Sequence, residues 1–131
     1  MIVVDTNILS YFYLRDQYGA EADALLRKNP EWIAPLLWRS EFRNTLLGYV
    51  RRDRMTVDRA VALMDDAEDL LQGSEHIPDS RDVLELARDS GCTAYDCEFV
   101  ALARSFGVKL VTMDRQILKA FPKFAVSLME A

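Results

Sequence analysis

Apolar positions along this chain follow two alternating periods. Short runs at Ile2-Val3-Val4, Trp32-Ile33-Ala34, Lys109-Leu110-Val111 and residues 124–128 are each bounded by a carboxylate, a proline or a glycine, and read as strands. Glu75-His76-Ile77, closed by Pro78, reads as a fifth, shorter one. Between them the apolar residues recur at helical spacing. Residues 7–14 carry Ile8, Leu9, Tyr11, Phe12 and Tyr13 on more than one face, so this helix has to bury more than one side. Gly19 interrupts the pattern, and residues 20–28 resume it with Ala24, Leu25 and Leu26 before Asn29-Pro30 ends it. Residues 36–52 form the clearest helix, with Trp38, Phe42, Leu46 and Tyr49 on one stripe and Glu41 at its edge. Residues 56–72 follow, with Val57, Ala60, Val61, Met64 and Leu71 expected inward and Gly73 as the stop. Helices over 79–89, 92–106 and 115–121 complete the series.

Strand and helix alternate throughout. That order predicts an α/β fold: a three-layer sandwich around a mostly parallel central sheet of about five strands, as a single domain over residues 1–131. Half of the residues are apolar, enough for one sizeable core. No stretch approaches the roughly 18 uninterrupted apolar residues of a membrane span. The start, interrupted by Asp5 and without Lys or Arg before Arg15, does not resemble a signal peptide, so a cytoplasmic location without membrane attachment is expected.

Composition narrows the chemistry. Two cysteines, Cys92 and Cys97, and one histidine, His76, cannot complete a usual zinc site and argue against a histidine-based triad. The net charge of -5 counts against nucleic-acid binding, yet 12 of the 16 basic residues are Arg, the side chain that pairs bidentately with phosphate. A cation bound among the acids would also reverse the local sign.

Four acids stand out. Asp5 and Asp114 end strands, Asp96 lies in the first turn of a helix, and Glu41 flanks the long helix. Each aspartate also has a local explanation as a helix cap or first-turn acid. In an open parallel sheet, however, strand carboxyl ends and the helix starts that follow share one edge, so topology gathers the three aspartates. Two carboxylates about 4 Å apart repel by about 4 kcal/mol at an effective dielectric of 20, and an oxygen-only cluster selects a hard cation, Mg²⁺ or Mn²⁺. A receiver-like phosphoacceptor domain would want paired acids at the first strand end, where Val3-Val4-Asp5 has one. A haloacid-dehalogenase-type phosphatase would want a second aspartate in Asp5-Thr6-Asn7. A domain that keeps the fold as an inactive binding module is the remaining alternative.

Val3-Val4-Asp5-Thr6-Asn7, Ser40-Glu41, Thr93-Ala94-Tyr95-Asp96 with Ala101-Leu102-Ala103, and Leu110-Val111-Thr112-Met113-Asp114 occur in order on the expected elements. With these motifs the chain resembles PIN-domain ribonucleases, and more narrowly the VapC-type toxins of toxin–antitoxin pairs, over essentially its full length. The resemblance implies that Asp5, Asp96 and Asp114 hold Mg²⁺ and that Glu41 acts through water or orients the nucleophile. Thr6, Asn7 and Thr112 would fix the carboxylates by hydrogen bonds. It further implies endoribonuclease activity by metal-activated water, leaving a 5′-phosphate and a 3′-hydroxyl. A homodimer and a cognate antitoxin seated on Leu9, Phe12, Tyr13, Leu25 and Leu26 are expected with it. Arg39, Arg43, Arg115 and Lys119, close to the acids in sequence, are candidates for holding the RNA backbone. Many members carry an acid where Gln116 stands here, which weakens the case for a second metal.

Overall fold

A computed structural model of the chain describes residues 1–15 and 17–131. Strands β1 (Ile2–Val4), β2 (Trp32–Pro35), β3 (Glu75–His76), β4 (Leu110–Thr112) and β5 (Ala125–Ser127) form one sheet in the order β3-β2-β1-β4-β5. Every pairing is parallel. Parallel neighbours require crossovers, and helices supply them. Helices α1 (Thr6–Leu14) and α2 (Gly19–Lys28) link β1 to β2, and α3 (Trp38–Arg51) and α4 (Val57–Leu70) link β2 to β3. Helices α5 (Ser80–Ser90) and α6 (Ala94–Phe106) link β3 to β4, and α7 (Arg115–Ala120) precedes β5.

Strand residues alternate between two cores. Ile2, Val4, Trp32, Ala34 and Val111 pack with Ile8, Leu9, Leu25, Trp38, Phe42, Leu46, Leu63 and Leu71 from the α1–α4 side. Val3, Ile33, Leu110 and Ala125 pack with Val83, Leu86, Phe99, Val100 and Ile117 from the α5–α7 side. Covering both faces is why the strands read as unbroken apolar runs. The result is the three-layer α/β sandwich that the alternation predicts, with an all-parallel sheet.

Helix details differ slightly from the expectation. Gly19 is the first residue of α2, one position before its expected start. On α4 and at its C-cap the expected Met64 and Leu71 are buried, with Leu63 and Ala67 beside them, while Val57 and Val61 are 62% and 52% exposed. The helix carries two apolar stripes, and the one that includes Leu63 and Ala67 packs on α1 and α3 in the core. On α1 and α2, Leu9 and Leu25 are fully committed to the core, and Phe12 packs edge-on against Trp32 and Tyr13. Phe12, Tyr13 and Leu26 pack against that core while remaining partly exposed.

The chain runs outward from β1 to β2 and β3, then returns to place β4 on the other side of β1. This reversal creates a crevice at the carboxyl ends of β1 and β4, the usual ligand position in an open parallel sheet.

Candidate active site

Asp5 follows β1 directly and caps α1, its Oδ1 accepting the Ile8 N–H at 3.2 Å. Its Oδ2 accepts a hydrogen bond from the Thr112 hydroxyl at the end of β4. The same Thr112 oxygen accepts the Asp114 N–H at 3.0 Å, and Asp114 caps α7 by accepting the Ile117 N–H at 3.0 Å. One fully buried hydroxyl therefore ties together the two strand-end acids. Asp96 arrives on the first turn of α6, where the capping Thr93 side chain accepts its N–H at 3.0 Å. Glu41 arrives on the first turn of α3, its Oε1 accepting the Thr6 hydroxyl at 2.7 Å.

The four carboxylates line one cleft of about 250 Å³ with Thr6, Asn7, Asn44, Thr45, Phe99 and Ile117. Its electrostatics are those of crowded acids. Burial pushes the Asp5 carboxyl up to about 6; the Thr112 and Ile8 donors pull against that rise, and the charges of Asp114 and Glu41 add to it. Burial also raises Glu41, with Thr6 opposing and Asp96 reinforcing, and raises Asp96, with Thr93 opposing and Asp114 reinforcing. Glu98, which lines a neighbouring cleft with Ile77 and Val83, is also raised, by burial and by the Glu41 charge. Sequence reading passed over Glu98 and Asn44. Glu98 stands one residue from Cys97 on α6, and Asn44 follows Glu41 at helical spacing, which was the available signal.

As the side chains stand, no three acidic, histidine or cysteine groups among the described residues meet closely enough to hold a metal ion. Asp5 and Asp114 each direct an oxygen to a helix cap. The donor chemistry nonetheless fits a hard divalent cation, because the cleft offers carboxylate, hydroxyl and amide oxygens and lacks histidine and thiolate among the described residues.

The four basic candidates are dispersed. Arg39 is committed elsewhere: its Nε and Glu75 lie 2.6 Å apart, and its Nη1 and Glu68 3.0 Å apart. Arg43 lines an apolar groove between α3 and α4, and Arg115 and Lys119 are exposed on α7 beside Asp114.

Comparison with known proteins agrees with the geometry. Residues 2–123 match the PIN domain family model. Ribonuclease VapC3 of Pyrobaculum aerophilum is 28% identical over 124 residues, covering 92% of this chain and 95% of the relative. The crystal structure of PAE2754 from Pyrobaculum aerophilum superposes with a TM-score of 0.78 at 23% identity, over 98% of this chain and 84% of that one. A toxin-antitoxin complex from Klebsiella pneumoniae gives a TM-score of 0.61 at 18% identity, over 98% of both chains. On the extent of the family match and the shared fold, the chain belongs to the PIN domain family.

Proposed function

We propose that this protein is a Mg²⁺- or Mn²⁺-dependent endoribonuclease and the toxin of a toxin–antitoxin pair. The observation that carries this reading is the gathering of Asp5, Glu41, Asp96 and Asp114 on one oxygen-lined cleft at the switch point of the sheet. The similarity to a protein named a ribonuclease supports the chemistry, and the fold shared with a toxin–antitoxin complex is consistent with the biological role.

Asp5, Asp96 and Asp114 would hold the cation. When bound, it would offset the mutual repulsion of the acids, acidify a water for in-line attack on a phosphodiester, and stabilise charge on the phosphoryl and leaving oxygens. Thr112 keeps Asp5 and Asp114 in register, and Thr6 holds Glu41 by Oε1. The second carboxylate oxygen of Glu41 orients the attacking water. Asn7 and Asn44 stand on the wall of the cleft, where an amide can bond the phosphate or ribose. Arg115 and Lys119, next to Asp114, remain the basic groups best placed for the backbone at the cut.

Freed of any inhibitor, the protein should cleave RNA with Mg²⁺ or Mn²⁺ and leave a 5′-phosphate and a 3′-hydroxyl. Asp96→Asn should lower the rate at least about 100-fold, and Thr112→Val by roughly 10- to 100-fold, as for loss of an outer hydrogen-bond partner. A broad RNA panel left intact at every cation concentration would overturn the nuclease reading.

Besides the expected seat on α1 and α2, a second apolar surface is open to an antitoxin. Leu46, Leu47, Val50, Val57, Ala60, Val61 and Met64 line an open groove of about 380 Å³ between α3 and α4. This groove, close to Glu41 on the same helix, suits the apolar segment of an inhibitory partner. Val61→Asp should release a co-purifying antitoxin while Phe12→Asp should mainly destabilise the fold; retention by Val61→Asp would place the partner elsewhere. A homodimer belongs to the same reading and is checked by sedimentation.

A further inference from the structure

The cluster Arg51-Arg52-Asp53-Arg54, with Arg59 beyond it, has no role in the cleft chemistry. It is a basic tip on an acidic protein. Within it, Arg52 is held in an unusual way. Its guanidinium carbon lies 4.8 Å from the centroid of the Tyr49 ring. Its Nη1 occupies the space beside Gly48, 3.2 Å from where a Cβ would stand. The charged group is thus folded back along α3 toward the acids, with an aromatic face and a missing side chain making room for it. Among the described residues no carboxylate lies within ion-pair distance of Arg52, as for Arg51, Arg54 and Arg59 around it, but only Arg52 among these stacks on an aromatic ring.

The direction of that fold-back matters. At 100° per residue, Glu41, Thr45, Gly48 and Arg52 fall within about 60° of arc on one face of α3. Asn44 and Thr45 already line the cleft. Gly48 lies roughly 10 Å along the axis from Glu41 at about 1.5 Å per residue. The face leaving the cleft is therefore polar and low in relief, and it ends at an uncompensated guanidinium. Complementing the helix dipole would need a cation near Arg52 but not the open space at Gly48.

We propose that this face of α3, from Asn44 past Gly48 to Arg52, is a lane for the phosphate backbone of single-stranded RNA flanking the cut, with Arg52 its phosphate clamp. The proposal rests on the nuclease reading and assigns its substrate a path. The planar fork of Arg52 suits two oxygens of one phosphate, and Gly48 keeps the approach open.

The test is binding of a mixed-sequence, fluorescently labelled single-stranded RNA to the full chain in EDTA, by anisotropy across a salt series, with cleavage measured separately in Mn²⁺. Arg52→Ala should weaken binding several-fold and make the slope of log affinity against log salt shallower by about 0.7, the contribution of one phosphate contact. Arg27→Ala, the same charge change at the end of α2, should do neither. Gly48→Leu keeps the charge and favours the helix, yet its branched side chain takes the space in which the guanidinium lies 3.2 Å from the Cβ position, so it should weaken binding with no fall in melting temperature. If Arg52→Ala and Gly48→Leu bind as Arg27→Ala does while the wild type still cleaves, the lane is overturned and the nuclease reading stands. If the wild type binds with the predicted variant pattern but never cleaves, the lane stands and the nuclease reading falls. A wild type that neither binds nor cleaves overturns both.

Discussion

Asp5 is buried, carries a charge at neutral pH, and has two other carboxylates in its field. Its ordinary value of 3.8 rises to about 6 in the fold. Between those values the folded protein binds a proton that the unfolded chain has released. The stability contributed by this group is therefore fully present below about pH 4 and is lost as pH rises through about 6, on the order of 3 kcal/mol in all. Without a cation, Asp5→Asn should raise the melting temperature at pH 8 and flatten its decline between pH 4 and 7. Thermal melts across pH check this, and a variant less stable than wild type at pH 8 would count against it. The aspartates also show what a sequence leaves open at this scale. Local rules offered Asp5 and Asp114 as helix caps, and both do cap helices while lining the cleft. Capping and cleft roles coexist because a carboxylate has two oxygens. Their joint dependence on Thr112 was less legible, because it spans 107 residues of sequence and exists only once β1 and β4 pair.

Helix α3 is the element that carries most of the function proposed here. Its start lacks a side-chain cap, Leu37 occupying that position, and it is anchored instead by Glu75 of β3. Glu75 accepts from the buried Trp38 Nε1 at 2.8 Å and from Arg39 at 2.6 and 2.7 Å. Arg39 holds the Glu75 carboxyl below its ordinary range, so the stabilisation from this pair is present at neutral pH and lost on acidification. Glu75→Ala would leave the buried Trp38 indole N–H without its partner, costing about 1–3 kcal/mol. Denaturant unfolding checks that cost. Because Glu41 sits on the anchored turn, cleavage should fall more than RNA affinity does in EDTA; an unchanged cleavage rate would show that the turn is held by packing alone. Element positions were readable because apolar periodicity and the Gly and Pro stops set them. The phase of α4 was only partly so, since a helix with two apolar stripes does not reveal which one meets the core. The engagement of Arg39 was equally hidden, because Glu68 and Glu75 approach it only through the α3–α4 hairpin and the β2–β3 pairing.

At the scale of the molecule, the parallel order β3-β2-β1-β4-β5 does the work of concentrating negative charge. Its switch point puts β1, β4 and the starts of α3 and α6 around one crevice. A chain of net charge -5 thereby gathers four of its acids in a small volume, and Arg52, stacked on Tyr49, stands on the flank of the same helix. The alternation of strands and helices made this architecture legible in advance, and the rule that ligands lie at the carboxyl edge pointed to the crevice, while the strand order itself came only with the fold. Which apolar surface stays open was not legible, because that depends on how four helices divide one sheet face. No helix among the described residues is long and apolar enough to cross a membrane. The central claim is that the crowded carboxylates form a divalent-cation site, and titration calorimetry with Mn²⁺ on the RNA-free protein tests it most directly. Saturable binding by the wild type, abolished in Asp5→Asn and Asp96→Asn, with a gain of about 2.7 kcal/mol in stability at 100 times the dissociation constant, is the predicted result. Equal heats from the wild type and both variants would contradict it.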